Sequence, residues 1–153
     1  MICAVIRTPS SDEAIAAMAE ARRAGADLCE LRIDYLRDPD LQKILAAKPL
    51  PVLATVRPKW EGGQYDGDEA LRFGLLEDAC LYGADYVDVE FRAYKDFPRR
   101  DAKLVVSYHD FEKTPEDLEA TARKMAALEP FLVKVACQAR GNRDLARLVT
   151  LIG

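Results

Sequence analysis

The 153-residue sequence has a single histidine, a single tryptophan and only four cysteines, and these scarcities exclude several classes of chemistry. A structural or catalytic zinc site takes a cluster of His, Cys and carboxylate ligands at short spacing, which the lone His109 does not supply, so no metal is expected. Cys3, Cys29, Cys80 and Cys137 form neither a CxxC pair nor a disulfide framework and read as buried thiols in a reducing compartment. No apolar run approaches the roughly 20 residues that a bilayer span takes, and the apolar start Met1–Ile6 meets Arg7 too soon to be a signal peptide. A cytoplasmic protein without membrane partners is expected. Positive charge is also short, with 22 Lys and Arg against 26 Asp and Glu, so the net charge of -4 offers nucleic acid no attractive field.

What is present is a regular alternation. The length suits one domain, read as residues 1–153. Short β-branched runs at 2–6, 27–33, 51–57, 85–91, 103–109 and 131–136 alternate with stretches of helical period. That is the pattern of repeated βα units and an α/β fold with a parallel sheet. Helix starts are marked by Ser10 with Glu13, by Thr114 with Pro115 and Asp117, and by Asn142 ahead of Leu145, Leu148 and Ile152. Residues 68–82 place Leu71, Leu75, Leu76 and Ala79 on one stripe, and 115–128 do so with Leu118, Ala122, Met125 and Leu128. Gly25-Ala26-Asp27 and Gly83-Ala84-Asp85 repeat one signal, a glycine that ends a helix with a strand immediately after it. Residues 92–102 read as a loop with one turn.

Strands buried on both faces read as unbroken apolar runs, and five of these do not. By the two-residue period, Glu30 shares a face with Arg32, Thr55 with Arg57, Asp88 with Glu90, and Ser107 with His109, while Lys134 shares one with Leu132 and Ala136. The polar members sit toward the C-terminal ends of their strands, where the side chains of a parallel barrel converge on its mouth. Unpaired buried charge is expensive, so these groups must face one another or a ligand. Each also admits a structural reading, as an exposed strand end or a satisfied ion pair. Lys134 resists it most, because Phe131-Leu132-Val133 and Val135-Ala136 flank it with apolar residues. Burial beside a second cation predicts an amine lowered from about 10.4 to about 7–8, and therefore nucleophilic at neutral pH. Such an amine attacks carbonyls to form imines, and His109 is the suitable proton shuttle. The glycine-rich loop 58–67 places Glu61 four residues after Arg57, where it can bend back and orient an imidazole.

Glu30-Leu31-Arg32-Ile33-Asp34, Arg57-Pro58-Lys59-Trp60-Glu61-Gly62-Gly63, Asp88-Val89-Glu90, Val105 to Phe111 and Val133-Lys134-Val135-Ala136 together resemble the type I 3-dehydroquinate dehydratases. The stretch Trp60 to Tyr65 is especially similar to the dehydratase half of plant-type dehydratase/shikimate dehydrogenase fusions. The resemblance implies a (β/α)8 TIM barrel that converts 3-dehydroquinate to 3-dehydroshikimate in the shikimate pathway, with no metal or organic cofactor. It implies a Schiff base on Lys134, His109 as general acid and base, Glu61 paired with His109, and Glu30, Arg32 and Arg57 on the substrate. Another Schiff-base barrel, such as an aldolase, would share the lysine without explaining the Glu-Gly-Gly loop. Eight βα units take about 250 residues, so this length holds about five to six, and an incomplete barrel is expected. Open sheet edges then predict homo-oligomers, or a barrel fragment that acts only as a scaffold.

Overall fold

Cys3–Ile6 (β1), Leu28–Arg32 (β2), Val52–Thr55 (β3), Tyr86–Glu90 (β4), Lys103–Asp110 (β5) and Leu132–Cys137 (β6) pair in that order in one sheet. Every pairing is parallel, and every strand lies within two residues of the run that alternation identifies. The computed structural model describes Met1–Leu151. Helices Ser11–Arg23 (α1), Leu41–Ala46 (α2), Glu69–Leu81 (α3), Leu118–Ala126 (α4) and Asn142–Val149 (α5) follow the strands, except that β4 and β5 are joined by a loop holding the single turn Phe91–Ala93. Each strand pairs with its predecessor. Right-handed crossovers therefore lay every helix on one face, and the sheet curls around the other as part of a barrel.

The two faces differ chemically. Toward the helices point Cys29 and Leu31, Val52 and Ala54, Val87 and Val89, and Leu104 and Val106, all buried in one continuous core with Met18, Phe73, Leu76, Leu118 and Met125. Leu53 and Val105 are buried too, but they point to the concave face and lie outside that core. In register, Arg32 lies beside Thr55, Thr55 beside Asp88, Glu90 beside Ser107, and Ser107 beside Lys134. The polar residues thus form adjoining rows on the concave side.

Both repeated glycine signals end helices as expected. Gly25 and Gly83 have φ of +89° and +95°, and the following amides close the helix, Ala26 onto Ala21 O at 3.0 Å and Ala84 onto Ala79 O at 2.9 Å. Asp27 and Asp85 then repeat a role, accepting from the Ile2 amide at 2.6 Å and the Val52 amide at 2.8 Å on the neighbouring strand. Ser10 caps α1 through the Glu13 amide.

Three expectations need correction. Leu71 is 68% exposed, and the buried stripe of α3 carries Arg72 and Phe73 with Leu76, Ala79 and Cys80. α4 starts at Leu118 with Asp117 as cap, while the Thr114 hydroxyl donates to Gln138 O at 3.1 Å and ties the loop after β5 to the end of β6. Cys3 is exposed and Cys137 half-buried, because both lie on edge strands; only Cys29 and Cys80 are buried. The short helix α2, only six residues long, gives too few turns for a periodic stripe to show. Ile152, expected on the last helix, lies outside the described residues. Among the described residues no helix is long and apolar enough to cross a membrane.

Candidate active site

All six residues singled out by the strand pattern and the resemblance line one cleft of about 390 Å³ on the concave face. Glu30 and Arg32 come from β2, Arg57 and Glu61 from the segment after β3, His109 from β5 and Lys134 from β6. Lys134 Nζ donates to Glu30 Oε2 at 3.1 Å and to Asp88 Oδ2 at 3.2 Å. Glu30, Asp88 and Lys134 belong to β2, β4 and β6. This is the alternate-strand layering by which barrel interiors fill, so an ion triad stands where a solid barrel would place three apolar side chains.

A second cluster sits against the first. Arg57 Nη1 donates to Glu90 Oε1 at 2.7 Å and to Ser107 Oγ at 2.8 Å, and Ser107 donates to Asp88 Oδ1 at 2.5 Å. Arg57 Nη2 is 2.9 Å from Asp88 Oδ1 but is buried without a hydrogen-bond acceptor, and Glu61 Oε1 is buried without a donor. Both atoms belong to side chains that line the cleft. Arg32 is held apart from this network. Its guanidinium makes two bonds to Asp34, at 2.8 and 2.7 Å, and lies over the Tyr35 ring at 5.0 Å.

His109 Nδ1 is 2.9 Å from Glu61 Oε2. A carboxylate there holds the ring proton on Nδ1 and leaves Nε2 as the basic nitrogen. Phe111 stacks on the imidazole with centroids 5.9 Å apart and planes at 23°. The loop that brings Glu61 to this position needs its glycines. A Cβ on Gly63 would lie 1.9 Å from Arg57 O, and one on Gly62, where φ is +77°, would lie 2.5 Å from the Phe111 ring.

The electrostatics overturn one expectation. Burial does push the Lys134 ammonium toward the neutral amine, but Asp88 and Glu30 outweigh both burial and Arg57, and its value is raised rather than lowered. The sequence pattern missed this because the two carboxylates belong to other strands. Burial likewise opposes charge on Asp88, yet Arg57, Lys134 and the Ser107 hydroxyl hold it below the ordinary range. For Glu90 burial wins: despite Arg57 and Arg72, its carboxyl is pushed up to about 7.

Two members of the site were not among the singled-out residues. Asp88 lay on the polar strand face but also fitted a structural ion pair; it contacts the lysine itself. Arg72 comes from α3 and is wholly buried. Its signal was a basic residue on the stripe of Leu76 and Ala79, at spacings of four and seven. Among the described residues, no group of three or more His, Cys, Asp or Glu side chains is arranged to hold a metal ion. A larger groove of about 800 Å³ runs along β6, but beyond Glu119 and Arg123 its lining has no titratable group, whereas the smaller cleft gathers titratable side chains from three strands and the segment after β3.

A family model described as Type I 3-dehydroquinase matches residues 2–152. The bifunctional 3-dehydroquinate dehydratase/shikimate dehydrogenase of Arabidopsis thaliana is 38% identical over 97% of this chain, which spans 27% of that protein. A 3-dehydroquinate dehydratase of Methanococcus maripaludis is 35% identical over 99% of this chain, which spans 73% of it. Among solved structures, 3-dehydroquinate dehydratase from Enterococcus faecalis superposes with a TM-score of 0.85 at 26% identity, over 98% of this chain and 71% of its own.

Proposed function

The chain belongs to the type I 3-dehydroquinase family, and we propose that it dehydrates 3-dehydroquinate to 3-dehydroshikimate, a step of the shikimate pathway, through an imine on Lys134. The observation that carries this reading is the meeting of a lysine amine and a carboxylate-paired imidazole in one cleft, on neighbouring strands where His109 pairs with Ala136, two residues beyond Lys134.

In this mechanism Lys134 Nζ adds to the substrate ketone and water leaves, giving an iminium. The iminium draws electrons from the adjacent carbon, whose proton passes to His109 Nε2. The resulting enamine expels the neighbouring hydroxyl, which takes that proton from His109 and departs as water; hydrolysis of the remaining iminium frees the product and the amine. Glu61 fixes the ring orientation, and Glu30, Arg32 and Arg57 bind substrate oxygens. Glu30 and Asp88 stabilise the cationic iminium as they stabilise the ammonium, so the charges that slow the first addition favour the intermediate that follows. The edges of β1 and β6, unpaired on one side among the described residues, favour association of copies of the chain. Those edges also favour a second reading, a scaffold that keeps the residues without turnover.

Incubation with 3-dehydroquinate and cyanoborohydride, followed by intact mass and peptide mapping, separates the two. The dehydratase reading expects a reduced adduct on Lys134, none with Lys134→Met, and with His109→Ala an adduct whose turnover is lower by about 10²–10⁴-fold. An unmodified wild-type chain, or turnover by Lys134→Met, would sink it.

A further inference from the structure

α3 packs on the helix side of the sheet, yet Arg72 sends its guanidinium over the end of β3 to the polar cluster. It is wholly buried and fully engaged: Nη1 bonds Val56 O at 3.2 Å and Glu90 Oε2 at 2.5 Å, and Nε and Nη2 bond Glu69 at 3.0 and 2.8 Å. Glu90 divides its two oxygens between arginines, Oε2 to Arg72 and Oε1 to Arg57. Arg57 in turn is bound to Ser107 and lies beside Asp88, a partner of Lys134. Arg72 is thus four contacts from the amine without lining the cleft.

We propose that Arg72 is a positioning residue, which holds Glu90 toward its anionic form so that Glu90 anchors Arg57 Nη1 and fixes the guanidinium at the wall of the cleft. This rests on the dehydratase reading for its consequence, although the charge relay itself is a property of the free protein. The groups that face Glu90 define the balance. Arg57 from the segment after β3 and Arg72 from α3 favour the anion, and Asp88 on the same strand opposes it. Ser107 from β5 and Glu61 share Arg57 Nη1 with it. With Glu90 already near neutrality at about 7, loss of one arginine leaves it protonated at physiological pH and unable to hold Arg57 as an anion.

The test compares Arg72→Met and Arg72→Lys with wild type, each labelled with ¹³C at the glutamate side-chain carboxyl and titrated by NMR, Glu90 being assigned with Glu90→Gln. In Arg72→Met the Glu90 midpoint is expected to rise by about one pH unit or more, and in Arg72→Lys by a smaller but resolvable amount. In parallel, KM for 3-dehydroquinate is expected to rise about tenfold in Arg72→Met with a smaller change in kcat, because Arg57 binds rather than reacts. Should Arg72→Met fail to fold, Arg72→Lys alone decides: a neighbouring ammonium cannot reproduce the fork to Glu69, Val56 O and Glu90, so its midpoint must still move. An unmoved Glu90 midpoint with only a lower unfolding temperature makes Arg72 a packing residue and overturns the proposal. A moved midpoint with no adduct or turnover in wild type overturns the dehydratase reading and leaves the relay standing.

Discussion

Lys134 shows how far one residue's neighbours decide its chemistry. Its flanks in sequence are aliphatic, and on that ground alone the amine is expected neutral near pH 7–8. Folding brings Glu30 and Asp88 within 3.1 and 3.2 Å and reverses the sign, so the ammonium persists above its ordinary value of 10.5. Because the folded value is raised, the ionisation of Lys134 contributes its full stabilisation below the unfolded lysine value and loses it only as pH rises through the folded one. The kinetic consequence has the same origin. The initial rate of adduct formation with 3-dehydroquinate is expected to climb with pH from about 6 to about 9 without levelling, since the neutral amine is a minor species throughout. Stopped cyanoborohydride trapping at each pH measures it, and a plateau between 7 and 8 would show a depressed amine after all. What the sequence disclosed here was five of the cleft residues through period-two spacing on strands, and Glu61 through its place in the glycine-rich loop and the family resemblance. Arg72, Asp88 as the lysine's partner and the sign of the lysine shift depend on contacts across 16 to 104 residues, which no local pattern carries.

At the scale of elements, strands and helix ends were legible because their signals are local: alternation, caps, and glycines at left-handed positions after α1 and α3. α2 escaped notice for want of length, and α4 was placed three residues early because Thr114 resembles a cap while serving β6. The segment after β3 is the element on which the site most depends. It closes on itself through Lys59 N to Tyr65 O at 2.9 Å, Tyr65 N to Arg57 O at 3.1 Å and Gly63 N to Pro58 O at 3.0 Å. That closure leaves Gly63 no room, since any Cβ would meet the Arg57 carbonyl 1.9 Å away. Gly63→Ala must therefore open the loop and draw Glu61 from His109. Turnover is expected to fall about 100-fold or more, with stability lowered by about 1–3 kcal/mol, while the Lys134 adduct still forms. Trapping and turnover measured side by side check this; a variant with normal turnover would mean that the Glu61–His109 pair is not what the loop serves.

For the molecule as a whole, the sheet is satisfied within and unsatisfied at its margins. β1 and β6 each have one neighbour among the described residues, and some of the large apolar side chains left exposed lie beside them: Met1, Ile2 and Val5 at one edge, Phe131 and Leu132 at the other. α5, next to β6, buries none of its residues and exposes Leu145 and Val149. Unpaired strand edges with apolar flanks are templates for further pairing, and a net charge of only -4 offers weak repulsion against it. Copies of the chain are therefore expected to associate, through backbone pairing and apolar contact rather than ion pairs, so that salt does not disperse them. Sedimentation equilibrium between about 5 and about 100 μM should show a mass above that of one chain, unchanged by added salt to about 0.5 M. Ile2→Lys combined with Phe131→Lys places a charge at each edge, outside the residues that line the cleft, and should return the mass to that of one chain while leaving adduct formation intact. A wild-type chain that sediments as a monomer throughout that range would mean that the edges are blunted by the solvated side chains already there, Asp27 bonded to the Ile2 amide among them.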